Sequence, residues 1–230
     1  MSEGGTIMKI LNRYYKSLIV LFIISFSAAS HAADLSGQAL VGYTGGLGFQ
    51  MNLIASDFAK GFPLNLQFGV SYSGRNPGNA ADARKIFIND ATNGDPEKSG
   101  SMWDFRFDFL YKVDWLSLHR GYLYGGPRYS MFTANFQFIG GNEFFEVSTN
   151  QWGIGFGMKA FFEISRRLDF VTSAGFDYFF DNEISGHDTS YSPDGEDVNP
   201  RNGFTYDDAD AAINNPTLQL RLMVGVDYHF

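Results

Sequence analysis

Apolar and polar residues trade places at every second position over much of this chain. From Leu218 to Phe230 each even position is apolar or aromatic, while Gln219, Arg221, Met223, Gly225, Asp227 and His229 hold the odd ones. A period of two marks a β-strand with one apolar and one polar face. Seven further segments repeat the pattern, at residues 35–43, 47–54, 64–72, 103–115, 120–132, 152–164 and 170–180. In the clearest, Trp103, Phe105, Phe107, Phe109, Tyr111, Val113 and Trp115 interleave with Asp104, Arg106, Asp108, Leu110, Lys112 and Asp114. The pattern predicts an all-β chain of eight strands.

The connections alternate as regularly as the residues. Thr44-Gly45-Gly46 is a tight turn, and residues 55–63, 116–119 and 165–167 are moderate or short. Residues 73–100, 133–150 and 182–216 are long, polar and rich in Gly, Pro, Asn and Asp. An antiparallel threading puts the long loops at one end and the short turns, with both termini, at the other. An even strand count with long external loops and short periplasmic turns is the pattern of an eight-stranded antiparallel transmembrane β-barrel. In that arrangement the apolar faces meet lipid and the polar faces line the lumen. Trp103 and Trp152 then fall near the external rim and Trp115 near the periplasmic one, as an aromatic girdle requires. A soluble sandwich has no reason to keep its tryptophans away from mid-strand.

The N-terminus fits export. Lys9, Arg13 and Lys16 precede an apolar run at residues 17–29, and Ser30-His31-Ala32 offers a cleavage site. Residues 1–32 read as a signal peptide, too short to span a bilayer as a helix, and residues 33–230 as one barrel domain. Met8 is a more typical start than Met1, because Glu3 sits oddly in such a leader. Of 17 basic and 25 acidic side chains in the whole chain, three bases and one acid lie in the leader; the rest carries a net charge of −10. That balance argues against nucleic acid as a partner. The absence of cysteine excludes disulfides and thiol chemistry. Aromatic residues make up 17% of the chain while its mean hydropathy is only −0.15, the combination that alternation produces.

Taken together, the strand pattern, the loop asymmetry and a last strand ending in Phe230 resemble the small eight-stranded outer-membrane β-barrel family, related to the transmembrane domain of OmpA and to OmpX and OmpW. In that family a terminal strand of alternating apolar residues closing on Phe is the signal for the barrel-assembly machinery. Here Val224, Val226, Tyr228 and Phe230 match it. The resemblance implies the cell outer membrane, its lipid and its lipopolysaccharide as surroundings. Since the sequence stops at Phe230, no peptidoglycan-binding domain is expected after the barrel.

Candidate chemistry concentrates in two places. Asp104, Arg106, Asp108, Lys112, Asp114, Arg128, Lys159, Glu163, Asp169, Asp177, Arg221 and Asp227 occupy inward positions. In an eight-stranded lumen just wide enough for side chains they are expected to pair into a plug; the alternative is a narrow charge-lined conduit. Asp177 and Arg221 are expected at one height, as are Arg106 and Arg128. The second place is the external loops. From Asp181 to Pro216 there are nine acids against one Arg, whereas residues 73–100 are balanced at four against four. Asp194, Glu196, Asp197, Asp207, Asp208 and Asp210 are oxygen ligands in type, but without the spacing of a calcium loop they read as a solvated surface. Loops 73–100 and 182–216 are the parts that would present themselves to an external ligand. His187-Asp188-Thr189-Ser190 holds the residue types of a hydrolase without any triad spacing, so no catalytic site, metal or cofactor is expected.

Overall fold

The computed structural model describes residues 33–57, 61–87, 96–114, 120–138, 143–182, 184–188 and 203–230. The expected signal peptide and Trp115 lie outside them. The strands are β1 (Asp34–Thr44), β2 (Leu47–Ser56), β3 (Leu64–Arg75), β4 (Pro96–Val113), β5 (Arg120–Phe138), β6 (Glu143–Ser165), β7 (Leu168–Phe179), β8 (Ser185–Asp188) and β9 (Leu218–His229). Two short helices, α1 (Ala80–Phe87) and α2 (Tyr206–Ala212), lie in the connections. Eight strands pair antiparallel with their neighbours, and β5 joins β6 while β1 joins β9, so these eight close into a barrel. The ninth, β8, adds to the far end of β6, where Val147 faces Gly186.

The tight turn expected after β1 is a two-residue loop in which Gly45 adopts a φ of 75°. Only glycine takes that conformation cheaply as the first residue of a hairpin turn. The barrel has a terminal end, carrying Asp34 and Phe230, and a loop end, carrying α1, α2 and β8.

Each expected strand is present, but three run further than the alternation suggested. Residues 133–150, expected as a long loop, are instead the outer halves of β5 and β6, leaving only 139–142 between them. The reason is an inversion of polarity. On β5 the inward side chains change from Arg128 and Ser130 to Phe132, Ala134 and Phe136, all buried, while the outward ones change from Tyr129 and Met131 to Thr133, Asn135 and Gln137. On β4 the change falls between Asp104 and Met102, and on β6 between Gln151 and Val147. Below this level the wall is apolar outside, and inside it turns first to polar and charged side chains. Above it the barrel has the ordinary polarity of a protein in water. Trp103 and Trp152 stand on the outer wall where the two regimes meet, 42% and 64% exposed. Trp103 packs edge-on against Phe49 and, at 5.0 Å, against Tyr72. An outward apolar band bounded in this way is a lipid-facing band.

Candidate functional site

The interior divides into four layers along the barrel axis. At the loop end lies an apolar cap. Ala80, Ala83 and Ile86 of α1, with Ala212 and Ile213 at α2, pack onto Met102, Phe132, Phe136, Val147, Phe179 and Ile184. Both helices start on a side-chain cap. Asn79 Oδ1 accepts from the amide of Ala81 at 3.0 Å, and Asp208 accepts from the amide of Thr205 at 2.7 Å while Thr205 accepts from that of Asp208. These bonds hold the exposed carboxyl of Asp208 below the usual carboxylate range. Backbone bonds then join the two connections: the amide of Asn79 donates to Ala212 and that of Asn214 to Pro77. The described parts of the two connections, around residues 76–87 and 203–216, therefore meet over the mouth. Of the acids expected as a solvated surface, Asp208 is a helix cap, while Asp194, Glu196 and Asp197 lie outside the described residues.

Beneath the cap sits the charge layer. Asp177 on β7 receives three guanidinium groups: Arg106 from β4 at 3.0 Å, Arg128 from β5 at 2.8 Å and Arg221 from β9 at 2.7 Å. Asp104 holds Arg221 at 2.5 Å and Arg106 at 3.2 Å, and Asp108 holds Arg128 at 2.7 Å. Asp177 and Arg221, expected at one height, are in contact, and Arg106 and Arg128 are direct register partners. Lys159 differs. It donates to the side-chain oxygens of Gln38 and Gln67, and Gln67 passes the chain on to Asp108 at 2.9 Å. Gln38, Gln50, Asn52, Gln67 and Gln219 complete the network, and a search for charged residues misses them. Their inward parity on β1, β2, β3 and β9 was the available signal. Arg75 was missed too; it closes the top of the layer through Thr44 and Gln219. Space for this packing comes from Gly155, where any Cβ would collide with Arg128 and Asp177.

Below the charges a second apolar layer fills the lumen: Leu40, Ile54, Leu110, Tyr124, Phe161, Val171 and Met223. The fourth layer is the mouth at the terminal end. Here Asp169 and Asp227 are buried, His229 Nε2 lies 2.9 Å from Asp169 and 3.3 Å from Asp227, and Arg120 is in direct contact with Asp169. A polar cavity of about 380 Å³ opens from this group to solvent past Asn65, Lys112 and Tyr122.

Three of the expected lumen charges, Lys112, Asp114 and Glu163, stand outside the packed layers. Lys112 is at the last turn of the wall, where the lumen widens; its side chain is 58% exposed, 4.0 Å from Asp114. Glu163 is exposed beside the irregularity between Glu163 and Ser165, where the register shift breaks the inward–outward alternation. Val224, Val226, Tyr228 and Phe230 share the outer face, with Phe230 the most exposed at 78%. The backbone of His187 lies in β8 opposite Glu146, and Thr189 and Ser190 fall outside the described residues.

A closed eight-stranded antiparallel barrel, apolar on its outer wall and filled by side chains within, is the fold of the small outer-membrane β-barrels, and this chain has it. Its fold matches that of a major outer membrane protein from Thermus thermophilus at 26% identity and a TM-score of 0.73, covering 87% of this chain and 100% of that one. Two structures that share less are Ail, the attachment invasion locus protein of Yersinia pestis (11% identity, TM-score 0.43, 86% of this chain and 97% of that one), and the Neisserial surface protein A (11% identity, TM-score 0.37, 86% and 96%). No protein-family model matches the sequence, and no curated protein does.

Proposed function

We propose that the protein is a closed barrel of the cell outer membrane, exported by residues 1–32, with a structural or surface-interaction role and no catalytic chemistry. The observation that carries this reading is the layering of the lumen. A paired charge layer lies between two apolar layers, so an ion crossing the barrel would have to shed its water twice and break buried ion pairs once. The lipid-facing band anchors the barrel beside lipopolysaccharide. The outward face of Val224, Val226, Tyr228 and Phe230 is what the barrel-assembly machinery would read. Loops 73–100 and 182–216, tied together over the mouth, form the surface offered to an external ligand.

The competing reading, a narrow conduit, draws on one observation. Arg106, Arg128, Arg221 and Lys159 face only Asp104, Asp108 and Asp177 among the described residues of the charge layer, a cationic surplus that would favour anions. Single-channel conductance of the refolded protein in a planar bilayer separates the two. The closed reading expects a silent, folded barrel. Discrete openings that change with Arg128→Ala or Arg221→Ala would overturn it.

A further inference from the structure

Asp169, Asp227 and His229 at the mouth are related to one another as ligands of one ion are related. A carboxylate oxygen from each Asp and a ring nitrogen of His229 all lie within 4.8 Å of one another. Metal–ligand bonds of about 2.0–2.2 Å place adjacent ligands about 2.8–3.6 Å apart in octahedral or tetrahedral geometry. The two separations from His229 Nε2, 2.9 and 3.3 Å, fall in that range. Two further observations point to a cation site. The Asp227 side chain is 1% exposed, yet its Oδ1 has no hydrogen-bond partner among the described residues. A buried carboxylate oxygen left in this state is costly. The charge is also unbalanced, because of the two buried carboxylates Asp169 alone contacts a guanidinium among the described residues, that of Arg120. The polar cavity on which His229 and Arg120 open supplies both a path of entry and water for the remaining coordination positions.

We infer that this mouth is a binding site for a first-row divalent metal ion, held by Asp169, Asp227 and His229. An imidazole with two carboxylates selects zinc and its neighbours over magnesium and calcium, which prefer an all-oxygen shell. Arg120 is the internal competitor. Its Nη2 contacts Asp169 and lies 3.4 Å from His229 Nε2, on the ground a metal would occupy. A guanidinium cannot lose its proton to make way, so it must swing into the mouth, and its side chain, 35% exposed, has the room. With metal bound, β7 and the last strand are fastened together at the point where both leave the lumen. This site is independent of whether the lumen conducts.

The test is metal titration of the full chain, extracted in detergent and stripped with a chelator. Zn²⁺ is followed by calorimetry and Co²⁺ by its visible absorption. One equivalent is expected to bind, with Mg²⁺ giving no signal. Asp227→Asn and His229→Ala should each weaken it by at least tenfold, and Arg120→Gln should tighten it by about tenfold, the effect of losing one charge-assisted competitor. Heat-dependent mobility on a gel checks that each variant is folded; Asp227→Asn, which keeps the shape of the side chain, carries the test if His229→Ala is not. An absence of saturable binding overturns the site, as does binding that survives both ligand substitutions or weakens in Arg120→Gln. Those outcomes would leave an Arg–Asp–His clasp with no metal role.

Discussion

Replacing Asp177 by Asn removes one negative charge from the point where three guanidinium groups converge while leaving the side chain's shape intact. Charge-assisted hydrogen bonds contribute about 1.5–3 kcal/mol each, but their sum overstates the loss. Asn keeps one acceptor oxygen, Arg106 and Arg221 retain Asp104, and Arg128 retains Asp108. What remains is a buried layer whose cationic surplus has grown by one, and breaking a buried pair in this way costs about 3–5 kcal/mol. That is a large part of the roughly 5–15 kcal/mol typical of a domain. Equilibrium urea unfolding in phospholipid vesicles measures it, since Trp103 and Trp152 report the transfer of the wall out of lipid. Asp114→Asn is the control. Its partner Lys112 is 4.0 Å away and both side chains are exposed, so it should cost under about 1 kcal/mol. A loss below about 1 kcal/mol for Asp177→Asn as well would refute the packed-layer account and mean that water reaches all three arginines.

Gly155→Ala should destabilise the barrel by about 1–3 kcal/mol in the same titration, because its Cβ would press on Arg128 and Asp177, whereas Gly74→Ala meets nothing within 4 Å among the described residues and should be close to neutral. Ile213→Ala, at a side chain only 1% exposed in the cap, should speed amide exchange in α1 while leaving the amides of β7 and β9 protected. Equal acceleration in cap and barrel would show that the two unfold as one unit.

The membrane-facing part of the fold was legible because lipid enforces alternation without exception. That rule is also why the reading stopped short on β5, near Phe132. Above it, Phe132, Ala134 and Phe136 face inward to the cap helices, so a search for outward apolar residues sees the pattern fail while the strand continues. Of the three partners of Asp177, Arg221 could be found by counting along antiparallel neighbours, since register fixes its height; Arg106 and Arg128 reach Asp177 from strands that do not adjoin β7. Gln38 and Gln67 could not be singled out as the partners of Lys159, because they reach it across the lumen, and chain order does not encode that distance. The meeting of Asp169 with His229 was open to the same count as that of Asp177 with Arg221, since both pairs lie on neighbouring strands. The pairing of β7 with β9, which sets Leu168 opposite Tyr228, brings the two residues to one mouth.

The seam where β1 meets β9 has a consequence for how the protein forms. Leu40 pairs with Gly225 and Ser36 with His229, residues from opposite ends of the chain. Every other wall contact joins strands nearer in sequence, save that of β7 with β9 across the loop that carries β8 and α2. Sheet growth can therefore proceed from β1 to β7 as the chain emerges, but through all of that time two long edges stay unpaired. The last strand closes both, on β1 and on β7, in a single late event. A chain that stalls before β9 has Arg106 and Arg128 on their strands but neither Arg221 nor a closed lumen to hold them. Its lifetime would then be set by whatever guards exposed strand edges before closure.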